Sequence, residues 1–358
     1  MDLFQKTINS YDPERKGFVR GTTNQIETWL NARYTYCFAR EHLKDQATLG
    51  IQTLNETLWD EQNQGWFDND LGQTRKSAYH HAFVLLAAST ALRQNIPNSE
   101  LTFNRACEVI EKYFWHEATG STKESFATNW TDLENYRGAN SSMHMTEAFI
   151  ATYDFTKEQK WLDRALKITK RITAASESIN FRIPEHFTKD WQVDPNYNQD
   201  NKMDQFRPFG VIPGHGIEWA RLCLQLFYRT DKSQSWLEAT AYNLYMRAKQ
   251  DAFKENGFDY TTDFEGNPII KLRMHWVLCE AISTSAVFAE HFSNKEFADD
   301  LEMFWSLAQN NFIKDGYWVH ELDEKNQISN EIWPDNPDIY HAYTAITLKN
   351  NPELLFNA

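Results

Sequence analysis

Apolar residues recur at three- and four-residue spacings through most of this chain, the signature of helices that bury one face. The pattern predicts eleven helices, over 26–43, 45–59, 77–93, 100–115, 141–156, 160–175, 215–230, 235–253, 274–292, 295–312 and 338–348. The chain before residue 26, or a loop segment, is expected to supply a twelfth. Short polar turns such as TKEQ (156–159) and TDKSQ (230–234) join the helices in antiparallel pairs.

The links between pairs carry a pattern of their own. Gly65-Trp66-Phe67-Asp68 leads into DLGQTR, Gly257-Phe258-Asp259-Tyr260 into TTDFEGNPI, and Gly316-Tyr317-Trp318-Val319 into HELDEKNQI. A glycine with aromatics, a polar turn and a return predict small β-hairpins. A unit of about 60 residues therefore repeats, and about six such units close into a ring of inner helices within outer ones. The fold class expected is all-α, an (α/α)6 barrel with short β-hairpins in the connecting loops. No Pro/Ser-rich linker divides residues 1–358, so one domain is expected. The longest irregular stretch, 177–214, holds four prolines and is long enough to suggest a functional loop.

Composition sharpens this picture in three ways. Aromatic residues make up 15% of the 358, ample for a large core and for a pocket that stacks sugar rings. A formal net charge of −14 argues against nucleic acid and anionic membrane surfaces as partners. Cys37, Cys107, Cys223 and Cys279 are widely spaced in apolar helical stretches and read as buried free thiols. The start, MDLFQKTINSYDPERKG, lacks a basic-then-apolar signal pattern, and no apolar run reaches membrane-span length, so a cytoplasmic location is expected. A homo-oligomer is compatible with all of this.

Polar residues suited to chemistry gather at the starts of the first helices of successive pairs. They are Arg33, the adjacent His80 and His81, His144 with Glu147, His215 with Glu218, His275 and His341. From His81 onward the intervals are 63, 71, 60 and 66 residues, matching the repeat. If these helices form the inner ring, the side chains converge at one end of the barrel. His80 and His81 cannot share a helix face, so at most one points inward. His275 beside Trp276 reads as a packing residue, and His42, His116 and His291 near helix ends as structural.

His215 and Glu218 lie three apart on one helical face, where the carboxylate can hold the imidazole's tautomer. Gly214 and Gly216 flank the histidine and let a ligand approach the backbone. The same H-x-x-E is also half a metal site, which His144, Glu147 and His341 could complete. Histidines with one arginine suit proton transfer beside a carbonyl, because an imidazole titrates near pH 6.5 (about that value).

Several motifs carry a resemblance. YRGANSSMHMTEA (136–148), FRIPEHF (181–187), RPFGVIPGHGIEWARL (207–222), RMHWVLCEA (273–281) and WPDNPDIYHAY (333–343) resemble the N-acylglucosamine 2-epimerase family, especially its mannose and sulfoquinovose isomerase branch. The likeness runs from about Trp29 to Tyr343. It implies an (α/α)6 barrel without metal or cofactor, acting on a monosaccharide through a cis-enediol. By position, His341 would be the base at C2, His215 its acid/base partner held by Glu218, and His144 an aid to ring opening. Arg33 would bind sugar oxygens, Glu185 and His186 would line the pocket, and His81 and Trp276 are further candidates for substrate contact. Where the branch often reads R-M-T-H this chain reads Arg33-Tyr34-Thr35-Tyr36, and Thr344 follows the last motif where Gln is common. The expected activity is mannose–fructose isomerisation. Alternatives are a 2-epimerase, a sulfoquinovose isomerase, a glycoside hydrolase using Glu147, Glu185 or Asp204, and a non-catalytic sugar binder.

Overall fold

The computed structural model describes residues 3–72 and 75–357. Its helices are α1 (Gln5–Ile8), α2 (Thr28–Arg40), α3 (Lys44–Gln52), α4 (Ala78–Arg93), α5 (Ser99–Val109) and α6 (Ala139–Thr156). They continue as α7 (Gln159–Glu177), α8 (Pro213–Arg229), α9 (Ser235–Ala252), α10 (His275–Phe292), α11 (Lys295–Leu307) and α12 (Tyr340–Asn350). Helices α2, α4, α6, α8, α10 and α12 each touch the next around a closed ring, and α12 returns to α2. The odd-numbered helices α3 to α11 each pack on the inner helix before them. This is the expected (α/α)6 barrel.

Burial separates the two rings. Every residue of α2 from Thr28 to Ala39 is buried, since an inner helix faces the barrel interior on one side and outer helices on the other. Helix α7 buries only one stripe, including Trp161, Leu162, Ala165, Ile168 and Ile172, as an outer helix should. The expected twelfth helix is a single turn, α1. Phe4, just before it, packs on Phe38 of α2 and Tyr343 of α12, with ring centroids 6.0 and 5.8 Å away. It thus covers the seam where the ring closes. Three outer helices end in a π-helical turn, at Thr53–Thr57, Ile110–Phe114 and Ala308–Phe312, which the three/four spacing did not distinguish from α-helix.

The connecting hairpins form where expected. Phe253–Lys254 pairs with Gly257–Phe258, Thr261–Thr262 with Pro268–Ile270, Ile313–Lys314 with Tyr317–Trp318, and Glu321–Leu322 with Ile328–Ser329. In the first link, Trp59 bridges Trp66 and Glu27 bridges Asn69; Gln73 and Thr74 of its expected turn lie outside the described residues. Short strands also sit just before four inner helices: Gln25–Ile26, Lys76–Ser77, Tyr136–Gly138 and Arg273–Met274. Each pairs with another loop strand, and Gly138 faces His186 of the long loop. These pairs form a rim that fixes the N-terminal ends of the inner helices at one end of the barrel. Among the described residues no helix is long and apolar enough to cross a membrane. Cys37, Cys223 and Cys279 are buried free thiols; Cys107, on an outer helix, is only half-buried.

Candidate active site

Within that rim lies a cleft with about 530 Å³ of free space, partly open to solvent. Arg33 (α2), Tyr79 (α4), Asn140 and His144 (α6), His215 and Glu218 (α8), His275 and Trp276 (α10), and His341 (α12) line it. All six inner helices therefore contribute, each from its first two turns. Gln205 and Phe206 of the long loop close one side. Phe206 stands edge-on to Trp333 and Trp29, with centroids 5.4 and 6.0 Å away. Buried polar atoms without a partner among the described residues concentrate here: Arg33 Nε, Asn140 Oδ1, His144 Nδ1, Glu218 Oε2, both ring nitrogens of His275 and Trp333 Nε1. Unsatisfied polar groups converging on one cavity mark it as a place for a polar ligand.

Two histidines are held in the same way. Nδ1 of His341 lies 2.8 Å from Glu280 Oε1, and Nδ1 of His215 lies 2.8 Å from Glu185 Oε2. A proton on Nδ1, donated to the carboxylate, leaves the lone pair on Nε2 for a ligand. Trp276 lies between them, its ring 5.1 Å from that of His215 and 5.7 Å from that of His341. Its position depends on Gly214: a Cβ there would come within 2.8 Å of the Trp276 ring and 2.7 Å of Val277. The glycine makes room for Trp276 rather than for a ligand at the backbone.

The expected partnership of His215 with Glu218 is not formed. Glu218 instead meets Arg221, with Oε1 3.4 Å from the guanidinium, and Arg221 Nε donates to Glu280 Oε2 at 2.9 Å. Burial raises the Glu218 pKa well above its usual value, and the neighbouring Glu280 and Glu147 charges add to the rise. Burial also opposes ionisation of Glu280, but Arg221 and His341 outweigh it and hold that carboxyl well below the usual range. One guanidinium thus compensates the neighbouring carboxylates unequally, Glu280 more than Glu218.

His144 stands between the rings of Phe83 and Tyr79, with centroids 4.4 and 5.4 Å away. Its Nδ1 is 3.5 Å from Glu147 Oε2, too long for a hydrogen bond, and Glu147 instead accepts one from the Tyr340 hydroxyl. Burial pushes the imidazole down to about 4, with Arg33 and His341 adding to the effect against the pull of Glu147, so it is neutral near pH 7 (about that value). Arg33 is fixed by Asp338 at 2.8 Å and the Tyr79 hydroxyl at 3.2 Å. Its guanidinium lies 4.4 Å from the Phe83 ring and 4.8 Å from the Tyr340 ring.

Three other expected contacts are corrected. His81 does not reach the cleft. Its Nδ1 pairs with the Ser77 carbonyl at 2.7 Å, its Nε2 accepts from the Trp66 amide at 3.1 Å, and burial lowers its pKa to about 3. Tyr79 takes the inward place on that helix. His186 spends both nitrogens on the fold, at 2.8 Å from the Tyr136 hydroxyl and 2.8 Å from the Pro208 carbonyl, and borders a neighbouring groove. Glu185 borders that groove too and serves His215 rather than the cleft itself. Sequence reasoning missed Glu280, Asp338, Tyr79 and Asn140 in this arrangement. Asp338 was visible within P-D-I-Y-H, and Glu280 lies five residues after His275, on the same inner helix.

Spacing alone would allow an ion: ligand atoms of His144, Glu147 and Glu218, and of Glu218, Glu280 and His341, lie within 4.8 Å of one another. The donor chemistry is poor for one. Both Glu280 oxygens are already engaged by His341 and Arg221, Glu147 accepts from the Tyr340 hydroxyl, and a divalent ion would sit beside the Arg221 guanidinium.

Comparison with known proteins follows the same line. Residues 11–345 match the N-acylglucosamine 2-epimerase family. The chain is 40% identical to a D-mannose isomerase of Pseudomonas cannabina pv. alisalensis, over 95% of this chain and 86% of that one. It is 37% identical to a D-mannose isomerase of Thermobifida fusca, over 90% and 84%. A solved D-mannose isomerase structure superposes with a TM-score of 0.88 at 27% identity, covering 98% of this chain and 95% of the other.

Proposed function

The chain belongs to the N-acylglucosamine 2-epimerase family, and on that premise we propose that it is an aldose–ketose isomerase interconverting D-mannose and D-fructose. The observation that carries the reading is the near-full-length identity to two D-mannose isomerases. The cleft supports it with two tautomer-fixed imidazoles facing one space. The whole chain is read as one catalytic unit, because one apolar cluster runs from Phe18 to Leu355.

In this reading the sugar opens to the aldehyde within the cleft. His341 Nε2 takes the proton from C2, and the electrons move to form a cis-enediolate. Arg33, charged and planar, binds the oxygen on which negative charge grows. His215 Nε2 exchanges a proton with the O1/O2 side, and return of the carbon proton to C1 yields the ketose. The neutral His144 assists ring opening by hydrogen bonding to a sugar oxygen. Glu280 and Glu185 are positioning residues that keep the two imidazoles in the required tautomer.

Mixing EDTA-treated protein with D-mannose and following products by NMR tests the reading. Fructose is expected at an undiminished rate. Glucose as the first product would make the protein an epimerase, and activity restored only by a divalent ion would revive the metal site. Arg33→Lys is expected to lower kcat/KM by about 10²-fold with the fold intact, since an ammonium cannot span Asp338, Tyr79 and substrate as a planar fork does. Near-normal kinetics would show that Arg33 serves only the fold.

A further inference from the structure

His275 is the first residue of α10, and its side chain is fully buried in the wall of the cleft. Its backbone amide donates to the His320 carbonyl at 3.0 Å, so the main chain is satisfied without the ring. Neither ring nitrogen has a hydrogen-bond partner among the described residues. The ring stands edge-on to His320, 4.8 Å away, and to His341, 6.4 Å away. A packing residue would not carry two unpaired polar atoms into a buried wall, where an aromatic or aliphatic side chain fills the same space without that cost.

Several features make this ring a neutral one. It lies at a helix N-terminus, where the dipole disfavours a cation. Burial lowers its pKa well below the usual value, and the neighbouring His320, His341 and Arg33 act in the same direction, against Asp338. A neutral imidazole has one N–H donor and one lone pair. A hydroxyl suits either nitrogen, since it can accept from the N–H or donate to the lone pair.

We propose that His275 is a substrate contact: a neutral imidazole that hydrogen-bonds a hydroxyl of the open-chain sugar, on the carbon chain beyond the C2 that His341 addresses. This rests on the isomerase reading, and it deepens that reading by assigning recognition of the sugar's remaining hydroxyls to a residue outside the acid/base set. The ligand class is a linear polyhydroxy aldehyde or ketone.

The test is a cycle between enzyme and substrate. kcat/KM is measured for D-mannose and its 3-deoxy, 4-deoxy and 6-deoxy analogues with the wild-type protein, His275→Phe and His275→Asn. Wild type is expected to lose about tenfold on one analogue, the scale of one hydrogen bond. His275→Phe is expected to lose a similar factor on D-mannose and nothing further on that same analogue, while losses at the other positions add. His275→Asn, which keeps a donor and an acceptor, is expected to recover part of the loss. Additive losses at all three hydroxyls, in whichever variant folds, would overturn the contact and leave His275 a structural residue. Failure of the wild-type protein to turn over D-mannose would instead overturn the isomerase reading, so the two failures are distinguishable.

Discussion

Replacing His341 with alanine is expected to lower kcat by roughly 10²- to 10⁴-fold, the range for loss of a general acid–base group, with the melting temperature near that of the wild-type protein. The imidazole is the part of its cluster most easily removed. Glu280 remains paired with Arg221 at 2.9 Å when His341 is gone, so no buried charge is stranded. A companion variant separates base from support. Glu280→Gln keeps an acceptor for the Nδ1 proton but removes the charge that stabilises the imidazolium. Its loss is expected to be smaller, because the base stays in place and only the group that holds its tautomer is weakened. An active His341→Ala protein would remove the base from the scheme, and a Glu280→Gln protein with wild-type kinetics would contradict the support assigned to Glu280.

His215→Ala is expected to cost at least ~10²-fold in kcat. Here the structure also decides which carboxylate matters. Glu185 Oε2 is 2.8 Å from Nδ1, whereas Glu218 is engaged with Arg221. In nitrogen-15 NMR of labelled histidine, Glu185→Gln should change the tautomer signature of His215 and Glu218→Gln should not. A change produced by Glu218→Gln alone would restore the pairing expected from H-x-x-E spacing.

That reversal shows how far the chain could be read without coordinates. The repeat of helix, turn, helix and hairpin was legible because an (α/α)6 barrel is built from local periodicity, and each inner helix buries itself with a three/four pattern. The intervals between His144, His215, His275 and His341 placed those residues at one end of the barrel, and the structure brings them into one cleft. Orientation around each helix was not legible. His81 matched the interval yet faces Trp66 and Phe114, because the strand at Lys76–Ser77 sets the phase of α4 so that Tyr79 points inward. Pairings across the barrel were hidden for a related reason. His215 meets a residue 30 positions away and His341 one 61 positions away, distances at which sequence spacing carries no information about contact. Nearby H-x-x-E offered a partner that local geometry allowed, and tertiary structure used another. Gly214 likewise suggested a ligand at the backbone, when the object needing space was the Trp276 ring packed from the next inner helix.

The central claim is that a histidine moves the C2 proton through an enediolate, and isomerisation in D2O reads that proton directly. Run with D-mannose and followed by proton and deuterium NMR, the reaction is expected to give fructose with solvent deuterium at C1, diluted where one imidazole carries the same proton from C2 to C1 before it exchanges. D-Mannose deuterated at C2 should show a primary isotope effect under conditions where chemistry limits the rate. The C2 proton of unlabelled D-mannose carried wholly to C1 in D2O, with no deuterium from solvent, is the outcome of a hydride shift and would contradict the account even if fructose were the only product.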